Sequence, residues 1–297
     1  MLAIQNNSLL TNYLLQEISK LIFSLPKIAQ KFVYKIIYDY PTMLRHRHLT
    51  DLKLKKNTLS AGIFIRKDQL IKTGDHTYKL ETHSIGKQKK LISTDYFFHE
   101  RFVKHAAGSC FVKDKQTIST AYHIINATGL DVDLFIKNYV VLFGYTNSSE
   151  EVIIINENQL IELDSVVHAN NNTNDDFIDF KIKQQLPSFV EIPKAYTGVL
   201  KPDMEIYIAG YPLRSSLTVS GNAVIDKKYE DYFTTHADLF EYSSGSPVFL
   251  KQNNQLIGFV KGSSEKDFIE TGNEQNQTNI IASSKSEGKK ILLIKNN

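Results

Sequence analysis

Cysteine is almost absent from this chain of 297 residues. Cys110 stands alone, so no intramolecular disulfide can form, and a cytoplasmic or other reducing compartment is the expected setting. Long apolar runs are missing too. Runs such as 152–155 and 291–294 fall far short of the roughly 20 residues that span a bilayer, which excludes a transmembrane helix of that kind. A secretory leader is not expected, because Gln5, Asn6, Asn7 and Ser8 interrupt the first apolar stretch. Glycine-rich phosphate loops are lacking, since Gly258 and Gly262 sit in a strand-like run. His46 and His48 have no Cys, Asp or Glu ligands in a zinc pattern and read as a solvated pair, so neither metal nor cofactor is expected.

Hydrophobic residues make up 42% of the chain, enough for a real core, which rules out wholesale disorder and a collagen-like fibre. The net charge of +3 hides an asymmetry. Residues 1–57 hold nine Lys and Arg against three Asp and Glu, a balance of +6, and the remaining 240 residues therefore carry −3. In that first segment Leu10, Leu14, Ile18, Leu21 and Leu25 recur at helical steps, with a second helix expected from Lys27 to about Asp39 before Pro41. The expected division is thus a basic helical extension over 1–57 and a main domain over 58–297. An amphipathic pair of helices ordinarily packs on its own domain, and contact with a membrane surface or a protein partner is the alternative use. Nucleic acid is not expected, for want of an aromatic-and-basic strand pattern.

From Leu59 onward the texture is β. Runs such as Gly62-Ile-Phe-Ile65, Tyr139-Val-Val-Leu-Phe143, Glu205-Ile-Tyr-Ile-Ala209 and Leu256-Ile-Gly-Phe-Val260 are short, β-branched or aromatic, and separated by Asn, Asp, Gly and Ser. Many short strands imply an all-β barrel or sandwich. Residues 170–176 read as a solvated loop, and 264–288, rich in Ser, Asn, Gln and Glu, as a flexible segment.

Three segments carry chemistry in combination. Thr117-Ile-Ser-Thr-Ala-Tyr-His123-Ile-Ile125 is a β-like stretch running into a Thr-Ala-x-His corner, Asp176-Phe-Ile-Asp179-Phe-Lys-Ile182 is an acid opening an apolar strand, and Ser243-Ser244-Gly-Ser-Pro-Val-Phe249 is a serine in a tight turn. A lone histidine is usually a packed or surface residue, and Ser-Gly-Ser-Pro is common in loops. Together they supply a nucleophile, its base and an orienting acid, with backbone N–H groups for an oxyanion.

On these residues the chain resembles the trypsin-like serine peptidases of the chymotrypsin fold, and most closely the bacterial branch related to glutamyl endopeptidases. Thr120-Ala-Tyr-His123 is similar to that family's Thr-Ala-Gly-His, Asp176-Phe-Ile-Asp-Phe-Lys-Ile to its Asp-Ile-Ala-Leu-Leu-Lys-Leu, and Ser243-Ser-Gly-Ser-Pro-Val-Phe to its Asn-Ser-Gly-Ser-Pro-Val-Phe. Gly210-Tyr-Pro212 and the lead-in from Glu100 to Val112 also match, so the resemblance spans about 59–265. It implies two perpendicular antiparallel six-stranded barrels with the site between them. By the same resemblance His123 is the base, Asp176 its partner and Ser244 the nucleophile, with the N–H groups of Tyr242 and Ser244 forming the oxyanion hole.

The chain departs from the family in four places. The two positions of a common family disulfide are Gly108 and Ile124 here, a paired loss that suits a reducing compartment. Cys110 replaces a usual glycine and reads as a packed small hydrophobe. Ser243 stands where zymogens carry the aspartate that binds a freed N-terminus, so that activation is not expected. Tyr242 replaces the glycine whose N–H completes the oxyanion hole, at a cost of order 1 kcal/mol if its φ is positive. By gapless count Asp238 falls at the floor of the specificity pocket, and Val260 falls where glutamyl endopeptidases keep a substrate-binding histidine. The leading expectation is a serine endopeptidase acting on protein or peptide substrates. A catalytically inactive relative that binds peptides or proteins is the alternative, depending on whether the peptide before Tyr242 is aimed or flipped.

Overall fold

The computed structural model describes residues 43–93, 95–147, 149–172, 175–262, 267–271, 275–278 and 289–294. The helices expected over 1–39 lie outside the described residues. Within 264–288, Phe268–Thr271 and Gln275–Thr278 pair as an antiparallel hairpin, and the rest of that segment lies outside them.

Six strands close into a barrel, in the order Leu160–Asn171, Asp176–Ile182, Thr117–Thr120, Ala106–Val112, Ala61–Arg66 and Tyr139–Phe143. Closure removes sheet edges and lets alternate side chains fill the interior. Gly62 shows how tightly: a Cβ there would lie 2.5 Å from Val141 Cγ1 and 3.1 Å from Cys110 Sγ. The helix Val132–Asn138 packs on the barrel strands Leu160–Asn171 and Tyr139–Phe143, and is started by an Asp131 side chain that accepts the Leu134 N–H at 2.8 Å. That helix delivers Phe135, fully buried, edge-on to Phe64 at 5.1 Å and stacked near Phe180 at 5.9 Å.

The second sheet has seven strands, in the order Met43–Arg45, Thr218–Val224, Glu205–Gly210, Pro247–Leu250, Leu256–Gly262, Lys289–Leu293 and Tyr232–Thr235. Among the described residues its two end strands do not pair with each other, so the second expected barrel is not closed. The architecture is mostly β and fits the chymotrypsin class. A further four-stranded sheet joins Leu70–Lys72, Thr77–Ser84, Arg101–Val103 and Val152–Asn156. Among the described residues no helix is long and apolar enough to cross a membrane.

Residues 43–57, grouped by charge with the preceding segment, are built into this body. Met43–Arg45 pairs with Thr218–Val224, and Arg45 is 2% exposed. Its guanidinium donates to Ser215 Oγ at 3.0 Å and Thr218 Oγ1 at 2.5 Å, and stands 3.2 Å from a Glu100 carboxylate oxygen. His46 is not the solvated residue the sequence implied. It is buried with Nε2 3.0 Å from the Lys55 carbonyl oxygen, and burial lowers its pKa.

Candidate active site

The strand Thr117–Thr120 ends three residues before a helix, His123–Thr128, whose first residue is His123. The apolar pair Ile124-Ile125 that looked strand-like is therefore helical, and Gly129, at φ +72°, ends the helix in the left-handed region. Tyr122 caps the helix without a side-chain bond. Instead the His123 backbone N–H donates to Asp176 Oδ1 at 2.9 Å, while His123 Nδ1 lies 2.5 Å from Asp176 Oδ2. Both carboxylate oxygens thus hold one residue. With Nδ1–H on the carboxylate, Nε2 is left as an acceptor, and Ser244 Oγ stands 2.9 Å from it.

Asp176 is 5% exposed. Burial pushes its carboxyl up, and the His123 ring bond and charge, the His123 amide and the Lys261 charge outweigh that, leaving it below its ordinary value. Parity along the strand matters here. Asp179, three residues on, faces the other way and meets Lys113 Nζ at 2.7 Å.

Ser244 lies in a turn where Gly245 adopts φ +80°, and a Cβ on Gly245 would collide with the Ser109 carbonyl and Thr120 Oγ1. The Ser244 hydroxyl has a second acceptor in the Lys261 carbonyl at 3.2 Å. Its one proton serves one acceptor at a time, and the closer is Nε2. Tyr242 adopts φ +70°, a strain of about 1–3 kcal/mol for a residue with a Cβ. The Glu241 carbonyl accepts the Leu213 N–H at 2.7 Å and the Ser243 carbonyl accepts the Ser246 N–H at 3.0 Å. Because trans peptides hold N–H opposite C=O, the amides of Tyr242 and Ser244 point away from those partners. Among the described residues neither amide has an acceptor.

Ser109 is a residue whose role sequence reasoning missed. Fully buried, it donates its N–H to the Ser244 carbonyl at 3.1 Å and its hydroxyl to the Tyr242 carbonyl at 3.3 Å, while its own carbonyl takes Thr120 Oγ1 at 2.6 Å. The barrel strand thereby fixes the serine turn. The signal available in sequence was its place two residues before the Phe111 of the lead-in motif, which says nothing of its partners.

Val260 is 1% exposed, with its side chain in the core of the second sheet. It supports the turn through its backbone, accepting the Gly245 N–H at 2.8 Å and donating to the Ser246 carbonyl at 2.9 Å. Asp238 is half-buried between the buried Ala237 and Leu239. Gly108 and Ile124 do meet: a Cβ on Gly108 would stand 2.9 Å from Ile124 Cδ1, so the isoleucine side chain covers the glycine where a disulfide would otherwise run. The Cys110 thiol is fully buried, and burial pushes its pKa well up.

On the outer side of the turn, the Glu241 N–H bonds to Asp267 and the Glu241 carboxylate pairs with Lys89 at 2.8 Å. Burial pushes the Asp267 carboxyl up to about 6, and the nearby Glu241 charge adds to this against that hydrogen bond.

Residues 108–259 match the family model of the trypsin-like peptidase domain. Among solved structures, the chain is similar to the Rv3671c protease of M. tuberculosis in an inactive form, at 15% identity, covering 80% of this chain and 84% of that one with a TM-score of 0.44. An inactive serine-to-alanine mutant of the same protease, from strain H37Rv, matches at 12% identity over 82% of this chain and 86% of that one, TM-score 0.43. Kallikrein-related peptidase 10 in complex with Zn2+ matches at 13% identity over 64% and 84%, TM-score 0.43. No curated protein sequence matches the chain.

Proposed function

The chain belongs to the trypsin-like peptidase family, and from that premise we propose that it is a serine endopeptidase cleaving peptide bonds through an acyl-enzyme. One observation carries the reading: Ser244 Oγ, His123 and Asp176 form a continuous hydrogen-bonded line of 2.9 and 2.5 Å beside two amides that have no acceptor among the described residues. Ser244 Oγ attacks the scissile carbonyl as His123 Nε2 takes its proton, and Asp176 stabilises the resulting imidazolium. The amides of Tyr242 and Ser244 receive the negative charge that develops on the carbonyl oxygen, each such donor being worth roughly 10²–10³ in rate. His123 returns its proton to the leaving amine, and water releases the acyl group by the same steps.

Covalent labelling by a fluorophosphonate tests this, because it requires an activated serine. Wild type should label at one site and hydrolyse peptides, while Ser244→Ala should do neither yet keep its unfolding transition, since the turn loses one hydroxyl and no core volume. A folded wild type that does not label would instead favour the peptide-binding module, and a Ser244→Ala variant with full activity would refute the assigned nucleophile.

A further inference from the structure

Tyr242 holds a left-handed backbone without being glycine, and what keeps it there is visible across the loop. Leu213 and Arg214 are also left-handed, at φ +53° and +61°, in the short turn that follows Gly210-Tyr211. Three strained residues therefore face one another. Two contacts join them: the Leu213 N–H to the Glu241 carbonyl at 2.7 Å, and the Arg214 guanidinium over the Tyr242 ring at 4.1 Å from its centroid. The guanidinium also lies 5.1 Å from the Phe102 ring centroid. Arg214 Nε is buried and has no hydrogen-bond partner among the described residues. Arg214 is partly exposed, and the two nearby rings add to the stabilisation of its cation.

We propose that Arg214 is a positioning residue: its guanidinium, seated on the Tyr242 ring, holds the Tyr242 backbone in the left-handed conformation that frees its N–H for the oxyanion. The tyrosine side chain that makes the conformation costly is then also what fastens it. Loss of the cation lets residue 242 relax toward negative φ, which rotates that amide. This inference rests on the peptidase reading for its catalytic consequence, whereas the holding of Tyr242 by Arg214 stands independently of it.

The test is a cycle of four proteins, wild type, Arg214→Ala, Tyr242→Gly and the double variant, with Arg214→Lys alongside. In the tyrosine background Arg214→Ala should lower kcat and the fluorophosphonate labelling rate by about tenfold with KM changed less than twofold, the pattern of an interaction made in the transition state. In the glycine background the loss should shrink below twofold, because glycine reaches positive φ unaided. Arg214→Lys should recover part of the rate by keeping a cation over the ring. An equal loss in both backgrounds, a rise in KM with kcat held, or no loss at all would overturn the proposal. Unfolding midpoints of the same four proteins separate it from the peptidase reading. If wild type neither labels nor hydrolyses, non-additive midpoints still support the clamp and locate the failure in the peptidase reading, whereas additive midpoints overturn the clamp itself.

Discussion

Lys113 Nζ stands 2.7 Å from Asp179 Oδ2, on the strand whose first residue, Asp176, reaches His123. One strand therefore carries two buried carboxylates to two different partners, a lysine ammonium and a histidine ring, on opposite faces. Both acids lie in one apolar run, and the pairing assigns them different tasks.

Asp176→Asn should cut turnover by about 10⁴ through loss of the imidazole's working tautomer, with the fold retained. Asp179→Asn should leave the labelling rate within a few-fold and lower stability by about 1–3 kcal/mol, because a buried charged hydrogen bond is lost. Steady-state kinetics and urea unfolding on the two variants check this. The reverse pattern would move the acid to position 179.

Asp267 should give the protein a pH-dependent stability. Its folded pKa, about 6, lies above that of a free carboxyl, so between about pH 4 and 6 the folded state binds more protons than the unfolded one. This group's contribution to stability accordingly falls as pH rises through that window. Asp267→Asn should raise the unfolding midpoint at pH 8 and leave it unchanged below pH 4, as read by thermal melts across pH. A difference independent of pH would refute it.

Cys110 should be silent toward thiol reagents in the native protein, since its burial both blocks access and disfavours the thiolate. Titration with a chromogenic disulfide should count no thiol before denaturant is added and one thiol after. Rapid native modification would show that the barrel opens at this strand.

Phe135→Ala should be among the most destabilising single changes in the barrel, at about 3–5 kcal/mol, because it empties a site packed by Phe64, Tyr139 and Phe180. Denaturant unfolding measures the loss. A change under 1 kcal/mol would mean that the packing of the helix Val132–Asn138 on the barrel contributes little to stability.

Much of this protein is legible from neighbouring residues. Strand texture, the serine turn with its glycine and the acid opening an apolar strand depend on local φ/ψ preferences and on side-chain alternation, which the chain carries in short windows. The order of His123, Asp176 and Ser244 was legible for the same reason. Other features are set by partners far away in sequence. Ser109 and Tyr242 are 133 positions apart, and nothing local announces that one hydroxyl fastens the other's carbonyl. In sequence Arg45 is only one of nine basic residues in 1–57, and Ser215, Thr218 and Glu100 enclose it in the fold. Ile124 looked like strand until His123 spent its backbone N–H on Asp176 and a helix began there. Tyr242 alone promised only strain, and the fold supplies Arg214 opposite its ring. Local conformational preference is thus written along the chain, while the compensation of buried charge and backbone strain depends on which distant groups the closed barrel and the second sheet bring within a few ångströms.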